Sequence, residues 1–211
     1  MNLIYGFFQY SAGLIFWILS KLGFYSLKVR GLENLKKVKG PLIMTPNHGC
    51  YTDSFLLLAV FPHWLYFKVL PVRAMCAEEY LNSWILGPIL RTMGSYPSRR
   101  GQGMEKSLII PDKLLKEGKT IGLYPEGRMV FSEESLGDFK RGLGELVKKN
   151  PQVPVIPVSI KGTKSHGPKP YIIPKGRVEI SFGVPYTPDC HQTAEEIVVG
   201  LKEKIHQLYI N

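Results

Sequence analysis

His48 and Asp53 are the first residues whose types and spacing suggest chemistry, in the segment from Asn47 to Asp53 (NHGCYTD). Five positions apart, they would point away from each other on a regular helix, where neighbours are three or four residues apart. They can meet if His48 lies in a turn permitted by Gly49 and Asp53 lies in the first turn of the following helix, where unpaired N–H groups and the helix dipole favour a carboxylate. An aspartate bonded to one imidazole nitrogen fixes the tautomer and leaves the other nitrogen as a base.

This histidine–aspartate pair would have no nucleophile of its own, because the sequence contains no Gly-x-Ser-x-Gly elbow. The base would therefore act on a hydroxyl that a substrate brings. Cys50 is a rival nucleophile two residues from His48, but side chains so close together in a turn usually diverge. A metal hydrolase would need more histidine or carboxylate ligands than this segment offers. On its own, the motif is explained better by a structural loop histidine and a helix-capping aspartate.

Two further segments place arginine and glycine where predicted strands end. One runs from Gly94 to Gly101 (GSYPSRRG) and contains Arg99 and Arg100, and the other runs from Tyr124 to Arg128 (YPEGR). Ligands of open α/β sheets gather at the carboxyl ends of strands, so we expect both segments to face one pocket. Arginine can hold a phosphate through paired hydrogen bonds, and a neighbouring glycine presents its backbone N–H. Three such segments in one short chain favour a binding site over three unrelated surface features.

The elements that must position these residues alternate between short apolar runs and amphipathic stretches, which predicts a single α/β domain with a central, mostly parallel sheet flanked by helices. The predicted strands are 41–45, 72–75, 94–97, 119–124, 153–160 and 178–182. The predicted helices are 53–60, 79–93, 105–117, 138–149 and 193–208. Pro111 lies inside the third of these helices, and we expect the helix to bend or restart there.

The first 27 residues are predicted to be a membrane-anchoring helical segment, with the α/β domain in residues 28–211. No charged side chain occurs between Met1 and Ser20. This length fits a single membrane span, although Gln9, Ser11 and Gly13 interrupt the middle and fit a broken helix within one leaflet about as well. A signal peptide fits less well because no basic residue precedes the apolar run. The fourth alternative is an ordinary buried core helix.

The net charge of +10 predicts an anionic partner. A basic group follows the apolar segment and favours an anionic phospholipid membrane at its cytoplasmic face; it comprises Lys21, Lys28, Arg30, Lys36, Lys37 and Lys39. Nucleic acid is not an expected partner, because the basic residues do not form a stripe interleaved with aromatic side chains. The three cysteines are far apart in the sequence, which favours a reducing compartment without disulfides.

Four segments of this chain resemble, in order and spacing, the sequence blocks of the glycerolipid acyltransferase family, and most closely the 1-acyl-sn-glycerol-3-phosphate acyltransferases. They are the His48-x4-Asp53 pair, the segment from Gly94 to Arg100, the Tyr-Pro-Glu-Gly run that ends at Gly127, and the Val-Pro-Val-Ile-Pro run that ends at Pro157. The likeness extends from Val29 to Pro185 and so covers nearly all of the chain after the apolar segment. The first and third blocks carry most of the specificity.

The resemblance implies a role for each matching residue. His48 corresponds to the general base that takes a proton from the acceptor hydroxyl, and Asp53 to its orienting partner. Arg100, Glu126 and Gly127 correspond to positions associated with binding the glycerol phosphate. The block that ends at Pro157 is associated with the acyl-donor side. The family uses acyl-CoA or acyl carrier protein as donor and a lysophospholipid as acceptor, with no metal or organic cofactor.

The chain departs from the family pattern at two arginines that we include among the candidate phosphate ligands. Arg128 follows Gly127 directly, whereas the third block usually reads Glu-Gly-Thr-Arg. Arg99 stands where many members have aspartate, which adds positive charge to the site. The alternatives to a lysophosphatidate acyltransferase are an enzyme for another lysolipid acceptor and a non-catalytic lipid-binding protein on the same scaffold.

Overall fold

A computed structural model describes residues 2–38, 40–62, 65, 71–130, 136–163 and 173–210. The strands are β1 (Tyr25–Arg30), β2 (Ile43–Pro46), β3 (Val72–Cys76), β4 (Tyr96–Pro97), β5 (Thr120–Gly122), β6 (Val155–Lys161) and β7 (Gly176–Phe182). The α-helices are α1 (Asn2–Lys21), α2 (Asp53–Ala59), α3 (Glu78–Leu81), α4 (Leu86–Thr92), α5 (Met104–Lys116), α6 (Arg141–Lys149) and α7 (Ala194–Ile210). A 3-10 helix covers Leu32–Lys37.

These strands form one sheet in the order β1-β7-β6-β2-β5-β3-β4. Every described strand pair is parallel except β6 with β7. The central strands β2 and β6 are buried along almost their whole length, as expected where helices cover both faces of a parallel sheet. The predicted α/β fold with a mostly parallel sheet is confirmed.

Successive residues of a strand point to opposite faces, and this alternation divides the core in two. On β2, Met44 packs in a cluster with side chains of α1 and α2, whereas Ile43 packs in a cluster with side chains of α5, α6 and α7. On β6, Ile156 and Val155 are divided between the two clusters in the same way. The sheet therefore has helices on both faces.

The first helix, α1, runs without a break from Asn2 to Lys21, which removes the alternative of a helix broken near Gly13. Its inner face is fixed by Gln9, which is 2% exposed and bonds the N–H and C=O of Val72 and the C=O of Met93. Phe16 stacks on Phe55 of α2. Large apolar side chains are exposed on the outer face: Leu3, Ile4, Phe7, Phe8, Leu14, Ile15, Trp17 and Ile18.

This exposure does not fit an ordinary core helix. Residues 3–21 are long and apolar enough to cross a membrane, and only 11% of that stretch is buried. One such helix near the N-terminus is weak evidence of membrane association.

The basic group that follows α1 lies partly within the sheet. The alternation of Tyr25, Leu27 and Val29 with polar residues is a strand pattern, and it forms β1, an element missing from the sequence prediction. Strand β1 begins before the predicted domain boundary at residue 27. Lys28 and Arg30 on this strand both form ion pairs with Glu179 of β7. Lys39 lies outside the described residues.

Two helix predictions are corrected by the structure. The predicted helix 79–93 is divided into α3 and α4, and the division places Pro88 in the first turn of α4, where its missing N–H costs no helical hydrogen bond. Of the bend or restart predicted at Pro111, the restart does not occur, because α5 continues through this residue. The ring of Pro111 is buried in the helix face that packs on the sheet.

Candidate active site

Three of the four predicted site segments meet at one edge of the sheet. Strands β2, β5, β3 and β4 are parallel neighbours, so their carboxyl ends point the same way. His48 follows β2, the segment containing Glu126 follows β5, and Arg99 and Arg100 follow β4. The edge is the one at which open α/β sheets bind their ligands.

Asn47 fixes the turn that carries the histidine. Its side chain is fully buried, its amide N–H donates to the C=O of Ile160 at 2.9 Å, and its amide oxygen accepts the N–H of Ile160 at 2.6 Å. The pair of bonds ties the end of β2 to the end of β6. The role of Asn47 was not predicted, and its position next to the histidine is the only signal that the sequence offers.

The expected contact between His48 and Asp53 is present, with 2.8 Å between Nδ1 and Oδ2. Asp53 is the first residue of α2 and is fully buried. Oδ2 also accepts the backbone N–H groups of Gly49 and Cys50, at 2.7 and 2.9 Å. These donors compensate for burying the charge, as a buried carboxylate requires. With Nδ1 engaged as the donor, Nε2 remains as the proton acceptor.

Tyr124 packs flat against the imidazole, a contact that the sequence did not reveal. The ring centroids of His48 and Tyr124 are 3.9 Å apart, with 19° between the ring planes. The phenol oxygen of Tyr124 lies 2.6 Å from the hydroxyl of Ser54, the residue after Asp53. Burial holds the pKa of Tyr124 well above its ordinary value, so the phenol is a neutral hydrogen-bonding group. The imidazole is thus held by Asp53 at its edge and by Tyr124 on its face.

The side chain of Cys50 is a hydrogen-bond partner of the Asp53 carboxylate. Its thiol is fully buried and donates from Sγ to Asp53 Oδ1 at 3.1 Å. Burial first, and then the negative charge of Asp53, raise the pKa of the Cys50 thiol above its ordinary range. A thiol that stays protonated is a poor nucleophile, so the burial and raised pKa of Cys50 disfavour it as the nucleophile.

The loop after β5 is tied to both the histidine turn and the arginine segment. Glu126 is 1% exposed, and its Oε1 lies 3.4 Å from the backbone nitrogen of His48. The N–H of Val130 donates to the C=O of His48 at 2.8 Å. Arg100 donates from Nη2 to the C=O of Gly127 at 2.7 Å. The loop that contains the buried Glu126 therefore connects the histidine turn to the arginine segment. A direct contact between the Glu126 carboxylate and the acceptor stays a prediction.

The remaining candidate residues differ in how close the structure brings them to the pair. Arg99 is half-buried and has a φ of 49°, a left-handed conformation uncommon for arginine. Arg128 is exposed on the loop that bonds to His48. Pro157 lies inside β6, where it pairs with Thr45 and contacts the backbone of Gly183. Among the described residues, no hydrogen bond joins Pro157 to His48 or Asp53.

One cluster among the described residues has the composition of a metal site. Asp189, Cys190 and His191 place ligand atoms within 4.8 Å of one another, and all three are exposed. They are consecutive in the chain and lie between β7 and α7. The cluster contains none of the predicted site residues. A surface groove of about 410 Å³ along α5 contains none of them either.

Comparison with known proteins gives one family match. A family model described as Acyltransferase matches residues 26–161, a range that contains every candidate residue from His48 to Pro157. In Bacillus subtilis (strain 168), a protein named 1-acyl-sn-glycerol-3-phosphate acyltransferase is 26% identical over 202 residues, which are 95% of this chain and 94% of the relative.

Other relatives cover less of this chain or share only its fold. The chloroplastic 1-acyl-sn-glycerol-3-phosphate acyltransferase LPAT1 of Arabidopsis thaliana is 28% identical over 66% of this chain and 37% of its own length. The crystal structure of the 1-acyl-sn-glycerophosphate (LPA) acyltransferase PlsC from Thermotoga maritima matches with a TM-score of 0.71 and 23% identity, covering 94% of this chain and 78% of that one. This likeness shows that the two chains share a fold.

Proposed function

Because this chain belongs to the acyltransferase family, we propose that it transfers a fatty acyl group from acyl-CoA or acyl carrier protein to the free hydroxyl of 1-acyl-sn-glycerol-3-phosphate, giving phosphatidic acid. The names of the relatives support this choice of acceptor. The observation that carries the proposal is the hydrogen bond between His48 Nδ1 and Asp53 Oδ2 at the carboxyl edge of the sheet. This pair supplies a base, and the substrate supplies the nucleophilic oxygen.

The proposed chemistry is direct acyl transfer. Nε2 of His48 takes the proton from the acceptor hydroxyl while the oxygen attacks the thioester carbonyl. Collapse of the tetrahedral intermediate breaks the carbon–sulfur bond, and the departing sulfur takes the proton from the imidazolium to give the free thiol. Asp53 keeps Nδ1 protonated and stabilises the imidazolium between these two steps. General base catalysis of this kind contributes about 10²–10⁴ in rate.

We assign binding of the acceptor phosphate to Arg99 and Arg100 in the arginine segment and to Arg128 in the loop after β5. A guanidinium carries five N–H donors, and the bond to the C=O of Gly127 uses one of those on Arg100. Arg99 precedes Arg100 and Arg128 follows Gly127 in the sequence, so both add positive charge near this bond. Glu126 and Gly127 would frame the glycerol phosphate, and the strand that contains Pro157 would border the acyl donor. The donor thioester is the only co-substrate that the proposal requires, without a metal or organic cofactor.

The proposed partner surface is an anionic phospholipid membrane at its cytoplasmic face. The exposed apolar residues of α1 and the cation of Lys21, which lies 5.4 Å from the centre of the Trp17 ring, support this assignment. Nucleic acid has no part in the proposal.

The proposal is tested by mixing the purified protein with lysophosphatidate and one acyl-CoA, and separately with one acyl carrier protein thioester. Thiol release and phosphatidic acid formation are both measured, and a panel of other lysolipids replaces lysophosphatidate in parallel. We expect turnover with at least one donor and a loss of turnover in a folded His48→Ala variant. Acceptor binding without thiol release would instead identify a non-catalytic lipid-binding protein, and a preference for another lysolipid would change the acceptor.

A further inference from the structure

The break between α3 and α4 leaves an unusually apolar corner on the surface. We call residues 83–89 the Trp84 corner. Trp84 is 86% exposed, and Ile85, Leu86 and Ile89 are each about half exposed. The stretch from Asn82 to Leu90 carries no charged side chain. Monomeric soluble proteins rarely expose contiguous apolar patches of this kind unless a partner or a membrane covers them.

The corner is held in a defined shape. A Cβ on Gly87 would lie 2.2 Å from the C=O of Leu81, so only glycine allows α4 to pack so closely on the end of α3. The N–H of Gly87 donates to the C=O of Ser83 at 2.9 Å, and Arg91 donates from Nη2 to the C=O of Leu81 at 3.0 Å. These contacts fix the backbone of the Trp84 corner, so the exposure of Trp84 is a property of the folded structure.

Helix α1 packs beside α4, the helix that begins within the Trp84 corner. Gln9 of α1 donates to the C=O of Met93, the residue that follows α4, and bonds both backbone groups of Val72 on β3. A Cβ placed on Gly94, one residue further along the chain, would lie 3.4 Å from Cγ of Tyr5 on α1. These contacts fix the relative positions of α1 and α4.

The other end of the corner leads to the histidine pair. Tyr51 lies between His48 and Asp53 in the sequence and is 46% exposed. Its ring meets the ring of Tyr80 on α3 edge to face, at 6.1 Å between centroids. Only Asn82 separates α3 from the Trp84 corner, so a path of contacting elements runs from α1 through the corner and α3 to Tyr51.

From this path we infer that α1 and the Trp84 corner form one membrane-docking face whose inner end is Tyr51, so that the acceptor enters the site from the bilayer. The inference rests on the proposed function for the identity of the acceptor. A phospholipid bilayer is the occupant because the two apolar stretches, residues 2–20 and 82–90, carry no charged side chain and have cations close by. These cations are Lys21 in the last turn of α1, Arg91 in the last turn of α4, and Arg73, whose guanidinium lies 4.6 Å from the centre of the Tyr5 ring on α1. Exposed tryptophan and basic side chains are both typical of the interfacial zone of a membrane.

The test compares Trp84→Ser and Ile85→Ser with a matched control, Ile109→Ser. Ile85 and Ile109 are 53% and 54% exposed, and Ile109 lies on α5, outside the proposed face. Binding is measured by sedimentation with phosphatidylcholine vesicles containing 25% phosphatidylglycerol, and folding by urea unfolding. We expect the two corner variants to bind about tenfold more weakly, as loss of a partly buried large apolar side chain implies, and Ile109→Ser to bind as the wild type. Equal binding by all variants would overturn the inference.

A direct measurement uses tryptophan fluorescence. The chain has three tryptophans, and Trp17→Phe with Trp64→Phe leaves Trp84 alone. Vesicles with bromine on the acyl chains should quench Trp84 and shift its emission to shorter wavelength. An emission spectrum unchanged by vesicles would overturn the inference, and so would self-association that Ile85→Ser abolishes, because the face would then belong to a second copy of this chain.

Catalysis separates failure of this inference from failure of the proposed function. The ratio of kcat/KM for lysophosphatidate in vesicles to kcat/KM for a short-chain, monomeric lysophosphatidate should fall about tenfold in Trp84→Ser and stay constant in Ile109→Ser. An unchanged ratio in an active enzyme would overturn the docking face alone. A protein that turns over no acceptor but still shows quenching of Trp84 would overturn the proposed function and leave the docking face standing.

Discussion

Replacing Asp53 with asparagine is the sharpest test of the proposed chemistry. The carboxylate accepts three N–H groups at Oδ2 and the Cys50 thiol at Oδ1. An amide oxygen in the Oδ2 position would keep the three N–H bonds but accept them as a neutral group. Bonds to a charged group are worth about 1.5–3 kcal/mol and neutral ones about 0.5–1.5. Asp53→Asn should therefore lower the free energy of unfolding by about 3 kcal/mol, roughly 1 kcal/mol for each of the three bonds.

The effect on catalysis should exceed the effect on stability. Without a charged partner at Nδ1, the imidazole loses its fixed tautomer and the stabilisation of its protonated form, so we expect kcat to fall about 10²–10⁴-fold. His48→Ala should remove the same contribution while leaving both backbone N–H bonds of Asp53 in place. The double variant should therefore be about as slow as His48→Ala alone, because residues that act as a unit are not additive.

The assay measures thiol release at saturating acceptor, with urea unfolding of each variant to show that it is folded. Two results would refute the reasoning. One is a folded Asp53→Asn variant that keeps a third or more of the wild-type kcat. The other is a double variant whose loss equals the product of the two single losses.

Three further predictions concern neighbours of the pair. Tyr124→Phe keeps the ring that stacks on His48 and should lower kcat less than about tenfold. Tyr124→Ala removes this ring and should lower kcat about 10²-fold, because the imidazole is no longer held in place. Equal losses of kcat in the two variants, measured by steady-state kinetics, would contradict the stacking role. Arg100→Ala should raise the acceptor KM about tenfold or more with a smaller change in kcat, and an unchanged KM would remove this arginine as a phosphate ligand. Cys50→Ser should stay within about threefold of the wild-type kcat, because it alters only the weak hydrogen bonds of the thiol with Asp53 and Thr52. A thiol reagent at pH 8 should label the exposed Cys190 while the folded protein protects Cys50.

The first 39 residues show what the pattern of charge and polarity in a sequence can predict and what it cannot. The uncharged run from Met1 to Ser20 predicted a long apolar helix, and α1 is that helix. The sequence left open whether Gln9 interrupts it. Gln9 instead satisfies three backbone groups of the domain. A polar residue in an apolar run has no meaning until its partners are known, and these partners come from β3 and the end of α4.

The contacts of the candidate site likewise divide into those that the sequence predicted and those that it did not. The contact between His48 and Asp53 was predictable because only the local turn and the start of α2 decide it. The stack of Tyr124 on the imidazole and the burial of Glu126 were not predictable, since they depend on how β5 aligns with β2.

By itself, the sequence determined the α/β class, the apolar first helix and the histidine–aspartate pair, because periodicity, charge and turn residues act over a few neighbouring positions. The tertiary structure decided what surrounds that pair. Asn47 and Ile160 are 113 residues apart, and they bond only because β2 and β6 are parallel neighbours in register. Contacts of this kind arise when the sheet forms, and the spacing of residues along the chain carries no trace of them.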